Sequence, residues 1–371
     1  MRKEDLFCKV DAHLSDMIRL AASLLAFAEP VHEVQQRNEF CTRYLRKNGF
    51  AVKTGLAGVK TALRAEYQSL DGGPVLGFLF GPAPMLGGTH TCGPYMQLLA
   101  NMAAAVALKD AMGEKYPFKL VLYSTLDKES CIASEEIELL RAGFFHELDI
   151  ALAMYSGSEM TTALHTPATQ SYAVRFRGKQ AHAAAHPWDG RSAFDGLQLA
   201  FHGVEFMRKH LLDTAQIQYA LTDAGGTPAN VVPDFAEGRF CVQASESVEL
   251  GKIRNRLEQI LNGAALMTGT TVEYSVCSDC KEMFPIAPLI GCFYDNVFLA
   301  GADLIEPPQL EAEPFDLSKV MEVVPCLCAR IHFLKKGVGS PSKICFDREE
   351  RNEAHEAIVA GAKTLAGMGC D

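Results

Sequence analysis

The chain is short of positive charge. Its 35 lysines and arginines face 45 aspartates and glutamates, for a net charge of −10, and no basic run offsets the deficit. Binding to a phosphate backbone needs the opposite balance, so nucleic acid is excluded as a partner class. Long apolar runs are lacking too. The apolar stretch over residues 20–28 falls far short of the roughly 20 residues that span a bilayer and reads as one side of a helix. Residues 1–7 are charged, with no signal-peptide core behind them, so the expectation is a cytoplasmic protein with no membrane partner. Regular cysteine spacing is also missing. The twelve cysteines are scattered, which predicts reduced thiols rather than a disulfide framework. Cys277-Ser-Asp-Cys280 and Cys326-x-Cys328 come nearest to paired zinc-ligand clusters, but their spacing is irregular and suits buried thiols better.

What is present suffices for two domains: 371 residues, 48% apolar and 22% charged. Met17, Leu20, Leu24 and Ala28 form one helical stripe, and Val34, Cys41 and Leu45 another, closed by Asn48-Gly49. Short apolar strands over 75–80, 118–124 and 148–154 then alternate with helices over 95–111 and 131–142. That alternation predicts an α/β domain with a doubly wound, mainly parallel sheet. Near residue 167 the periodicity changes. Tyr172, Val174 and Phe176 alternate with polar neighbours, as do Ile217 and Tyr219, Phe240 and Val242, and Val272 and Tyr274. Amphipathic helices over 194–211 and 250–264 fall between these strands. The order βαββαβ is ferredoxin-like, and it predicts an inserted module over 167–281 between two parts of the α/β domain, 1–166 and 282–371. A strand over 326–334 and a helix over 351–366 close the chain.

In open α/β sheets a ligand sits outside the carboxyl ends of the strands. Three stretches follow such ends. The first is the loop Leu86-Gly-Gly-Thr-His90-Thr-Cys92-Gly-Pro94, where His90 and Cys92 lie two apart and would leave one face of an extended segment. On residues alone it is half of a metal site or a packed turn. The second is Asp127-Lys128-Glu129, and the third is Tyr155-Ser-Gly157. If the strands are neighbours, these loops converge on one crevice. The inserted module adds Gly178-Lys-Gln-Ala-His182 and Asn230-Val-Val-Pro-Asp234.

These segments together resemble the zinc-dependent aminoacylase and carboxypeptidase family, on the side of its aminobenzoyl-glutamate hydrolase and N-acyl-amino-acid amidohydrolase branch. Asn48-Gly-Phe-Ala-Val52 is similar to that family's early turn, and residues 86–92 to its "GIGHACGH" loop. GKQAHAAAHPWDGRSA (178–193) is similar to its lid segment, and NVVPDFAEGR (230–239) to its "NIIPDRAEGR"; residues 316–325 and Glu353-Ala-His-Glu356 match the end. The resemblance implies a catalytic α/β domain carrying the ferredoxin-like module as a lid, and a homodimer formed through that lid. It implies hydrolysis of an amide bond in an N-acyl amino acid or aminoacyl-glutamate conjugate by two metals. Their ligands are the Cys and His of a "CGH" triplet, a Glu and two further His, with a second Glu as general base.

Against that pattern Cys92 and Glu129 are retained as ligands. Pro94 replaces the triplet His, Lys128 the general base, Tyr155 a liganding His and Ala83 an upstream acid, and the terminal His gives way near 339–341. A catalytic zinc usually takes three protein ligands. The expectation is therefore a decayed two-metal site and no cofactor, with zinc or manganese only where a residual single-metal site survives on Cys92 and Glu129. Lys128 would then supply the charge that neutralises Glu129 and Asp127. By resemblance His182 stabilises an oxyanion and Asn230 holds the substrate carboxylate or carbonyl; inherited lid structure accounts for both equally well. His90, Asp127 and Tyr155 fall where ligand contacts would be made, although His90 also suits a hydrogen-bonded loop and Tyr155 a space-filling role. Three readings stay open: a non-hydrolytic protein binding a small carboxylate or N-acyl amino acid between its domains, a single-metal amidohydrolase, and metal-free chemistry on Cys92, His90 and Lys128.

Overall fold

The computed structural model describes residues 2–13, 16, 30–80, 93–124, 135–157, 160–226, 228–284, 286–302, 305–310, 317–332 and 348–371. Helices α1 (Lys3–Ala12) and α2 (Pro30–Lys47) lead into a hairpin of β1 (Ala51–Leu56) and β2 (Val59–Gln68). Its two-residue turn holds Ala57 at φ 49° and Gly58 at φ 81°, the left-handed pair that a type I′ turn requires. Next come β3 (Val75–Phe80), α3 (Gly93–Met112), β4 (Lys119–Ser124), α4 (Glu135–Arg141), a 3₁₀ turn (Phe144–Glu147), β5 (Ile150–Gly157) and β6 (Thr161–His165). A smaller unit follows: β7 (Ala168–Arg177), β8 (Ala181–His182), α5 (Ala193–Arg208), β9 (Gln216–Asp223), β10 (Val231–Val232), β11 (Phe235–Ala244), α6 (Ser247–Thr268) and β12 (Thr271–Cys280). The chain then returns through α7 (Ala287–Leu299), β13 (Gln309–Leu310), α8 (Leu317–Val320), β14 (Cys326–His332) and α9 (Arg348–Cys370).

The larger sheet runs β1-β2-β4-β3-β5-β14-β6-β13. Its centre is parallel, β4-β3-β5-β14, as is β6-β13. The sheet is mainly parallel and mixed, with β1-β2, β2-β4 and β14-β6 antiparallel. The hairpin turns β2 back, so it meets β4 head to tail. One correction concerns β5. It does not stop at residue 154 but runs on to Gly157, with Tyr155, Ser156 and Gly157 paired to Arg330, Ile331 and His332 of β14.

Alternation along the central strands sends side chains to two buried faces. Leu76, Phe78 and Phe80 of β3, with Leu120 and Leu122 of β4, join the cluster around α3. Leu79, Val121, Tyr123, Ala151 and Ala153 join the cluster on the opposite face with Leu139 and Phe145. Helix α3 is buried from Leu98 to Leu108, as a helix apolar on all sides must be, and it packs between β5 and α9. Burying each such large side chain contributes about 1.5–3 kcal/mol. Helices α7 and α9 meet closely where a Cβ on Gly367 would lie 2.0 Å from Asn296 Oδ1.

One charged network is let into this unit. Arg64, 8% exposed, donates to Tyr123 Oη at 3.1 Å and to Glu147 Oε1 at 2.6 Å, and pairs with Glu66 at 2.8 Å. Lys119 bridges the same two carboxylates at 3.1 and 2.8 Å. The network ties the 3₁₀ turn to β2 and β4.

In the smaller unit the sheet order is β12-β7-β11-β9, antiparallel throughout. Tyr172, Val174, Phe176, Phe240 and Val242 pack beneath α5 and α6 with Leu197, Leu257 and Leu261. The opposite face is polar, with Arg175 on Glu237 at 2.7 Å and Arg177 on Glu273 at 3.8 Å. Entry and exit strands stay together: Thr166 pairs with Met283 in the register that pairs Thr169 with Cys280. Among the described residues no helix is long and apolar enough to cross a membrane.

Candidate functional site

The parallel order β4-β3-β5-β14 sets four strand carboxyl ends side by side: Ser124, Phe80, Gly157 and His332. That is the edge at which an open α/β sheet binds ligands. The segments that follow β3 and β4 carry His90, Cys92, Asp127, Lys128 and Glu129, and these five lie outside the described residues. Pro94 is the second residue of α3, where its fixed φ suits a helix start. Tyr155 lies within the sheet. It is half-buried, packs against the cluster of Leu79, Val121 and Tyr123, and faces Arg330 in the adjacent strand. Sequence reasoning passed over Arg330, a half-buried cation near the carboxyl end of β14. Its signal was a charge interrupting the apolar run 326–334.

The smaller unit brings His182 and Asn230 together although 48 positions separate them. Strand β8 pairs with β10, His182 opposite Val231, and Ala183 N–H donates to the Asn230 carbonyl at 2.9 Å. Further bonds lace the surrounding segment. Gly178 N–H donates to Asp234 O at 2.8 Å, Lys179 and Arg191 exchange bonds of 2.8 and 2.9 Å, and Ala193 N–H donates to Pro233 O at 2.9 Å. Only glycine fits at 178, since a Cβ there would sit 1.9 Å from the Arg191 carbonyl oxygen. Ser192 caps α5, accepting from Asp195 N–H at 3.1 Å. The side chains of His182 and Asn230 both stand exposed.

The His182 ring is fixed in one sense. The N–H groups of Ala184 and Ala185 point at Nδ1 from 3.3 and 3.1 Å, so Nδ1 accepts and Nε2 carries the hydrogen. The ring therefore presents a donor outward, the polarity needed to hold a carbonyl or carboxylate oxygen. His186 and Trp188 meet edge to face at 5.6 Å nearby, and Trp188 is 69% exposed.

A two-metal centre does not fit this donor set. Of the positions that the resemblance aligns with metal ligands or the general base, Pro94 offers no atom to a metal, Tyr155 is a phenol set into the sheet, and Lys128 is a cation. Among the described residues no group of three or more His, Cys, Asp or Glu is placed to hold a metal ion.

Comparison with known proteins bears on the whole chain. The family described as peptidase dimerisation domain, of the M20 peptidases, matches residues 168–267. One of the subunits of the p-aminobenzoyl-glutamate hydrolase of Escherichia coli is 32% identical over 281 residues, which are 74% of this chain and 56% of that protein. The Xaa-Arg dipeptidase of Mus musculus is 28% identical over 282 residues, 72% of this chain and 64% of that protein. This chain is homologous to the M20-family peptidases and amidohydrolases. The matched part spans less than two thirds of either relative. The crystal structure of an aminobenzoyl-glutamate utilization protein from Klebsiella pneumoniae shares the fold. Its TM-score is 0.71 at 14% identity, over 100% of this chain and 98% of that one.

Proposed function

We propose that this protein binds a small carboxylate, an N-acyl amino acid or dipeptide, between its two units, and that two-metal hydrolysis has been lost. The observation that carries the reading is the His182–Asn230 clasp, with an outward Nε2–H donor on a laced backbone. A histidine presented in this way has the polarity to hold one oxygen of a carboxylate or amide carbonyl. Asn230 beside it offers both a donor and an acceptor. The relatives' names set the ligand classes to test, aminobenzoyl-glutamate and dipeptides ending in arginine. In this reading the smaller unit is a ferredoxin-like lid that closes on the ligand and pairs two chains into a homodimer, in a cytoplasmic setting. Lys128 compensates Glu129 and Asp127 in place of metal, His90 and Tyr155 line the ligand, and Cys92 and Glu129 are ligand remnants.

The test is bound metal in protein purified without chelator, together with hydrolysis of N-acyl amino acids and basic dipeptides in added zinc, manganese or cobalt. The expected result is sub-stoichiometric metal, no turnover, and a ligand-induced thermal shift that His182→Ala removes. Stoichiometric metal with turnover abolished by Glu129→Ala would overturn the reading.

A further inference from the structure

The largest side chain in the protein is left outside its core. Trp188, the single tryptophan, is 69% exposed. It stands on the 3₁₀ turn Pro187–Asp189, in the segment that carries His182. That turn is built onto the clasp. His186 N–H donates to the His182 carbonyl at 2.9 Å, and Gly190 N–H closes the turn on Pro187 O at 3.1 Å. Gly190 lies directly against the paired strands, since a Cβ there would sit 3.0 Å from Val232 Cγ1 and 3.1 Å from Ala181 Cβ. Arg191 reaches back and donates to the carbonyls of Trp188 at 3.2 Å and Gly190 at 2.6 Å. The backbone beneath the indole is thus fixed to β8, which carries His182, and to β10, which follows Asn230.

His186 meets the indole at 5.6 Å and an interplanar angle of 86°. A ring with both faces covered could not be 69% exposed, so one face of the indole is open. Such a face gains from a second ring in offset or edge contact. It also attracts cations, and charge decides between the two. Asp189 and Arg191 carry opposite signs within three residues of Trp188, so the turn has no surplus of negative charge to draw a cation. A neutral ring is the better match.

We infer that Trp188 is an aromatic platform: the carboxylate held at His182 carries an aryl acyl group, and its ring lies on the open face of the indole. The inference rests on the His182–Asn230 reading above and adds to it the acyl class and the residue that selects it.

The experiment is calorimetric titration of the full chain with benzoylglycine, its saturated counterpart cyclohexanecarbonylglycine, and the cationic 4-guanidinobutanoylglycine. Benzoylglycine is expected to bind about three- to tenfold tighter than the saturated conjugate, the gain from one aromatic pair, and to alter the fluorescence of Trp188. Trp188→Leu, a surface substitution that the fold tolerates, should erase that difference and leave the saturated conjugate unchanged. His182→Ala should weaken both alike. Equal binding of the benzoyl and saturated conjugates, or benzoylglycine binding unaltered in Trp188→Leu, would overturn the inference and leave the clasp reading standing. A guanidino conjugate with the same dependence on Trp188 would overturn it too. Absence of binding by every conjugate, or binding indifferent to His182→Ala, would overturn the clasp reading and this inference with it.

Discussion

Replacing Arg64 by methionine puts a number on the buried network. The substitution keeps an unbranched chain of similar length but removes the bonds to Tyr123, Glu147 and Glu66. Breaking a buried ion pair from one side costs about 3–5 kcal/mol. Here the side chains of Glu66 and Glu147 are 28% and 32% exposed, and Lys119 still reaches both. The discounted loss is about 2–3 kcal/mol at neutral pH. The pH dependence fixes its electrostatic part. Glu66 is held below the ordinary carboxylate range, first by the Arg64 hydrogen bond and also by Lys119. Burial pushes Glu147 up, but hydrogen bonds from Lys119, Arg64 and Tyr123 bring it below that range. Carboxylates lowered in the folded state stabilise it above their unfolded value, about 4.3. That stabilisation disappears as pH falls through the folded values. The penalty of Arg64→Met should therefore be full at neutral pH and shrink on acidification below about pH 4. Urea unfolding followed by far-ultraviolet circular dichroism measures it. Fluorescence would not serve, because the single tryptophan, Trp188, is 69% exposed in the other unit. A loss below about 1 kcal/mol at neutral pH, or one unchanged in acid, would refute the reasoning.

Two glycines give further predictions. Gly178→Ala sets a methyl 1.9 Å from the Arg191 carbonyl oxygen. Faster amide exchange at Gly178, Lys179 and Arg191 is expected, together with a weaker His182-dependent ligand shift; unchanged exchange would mean the lacing is looser than drawn. Gly367→Ala drives a methyl into Asn296 Oδ1 and should cost about 1–3 kcal/mol, as overpacking does. In thermal unfolding, Gly367→Ala combined with Asn296→Ala should lose less than the sum of the separate losses, because the clash is shared.

How far the sequence revealed this molecule depended on the length of each periodic signal. Strands 75–80 and 118–124 and the helix between them were legible, because apolar runs of that length bounded by turn residues have few other solutions. The alternating segments of the smaller unit were legible for the same reason, one face wet and one dry. The β1–β2 hairpin was not. Its turn is Ala57-Gly58, whereas the usual mark of a type I′ turn is asparagine or aspartate before glycine. The extension of β5 through Tyr155 was hidden as well, since Ser156 and Gly157 carry a loop signature and are strand only because β14 pairs with them. At the candidate site, His182 and Asn230 were each singled out, but their adjacency rests on two strands of two residues each. No periodicity can register over so short a span.

The ladder that joins Thr166 to Met283 also governs how the two units share one chain. Because the crossings are rungs of a single ribbon, the ends of the inserted stretch already touch. The larger unit bears almost no closure entropy for everything hung between them. That holds once the passenger is folded, so a folded passenger leaves its host with two ends already side by side.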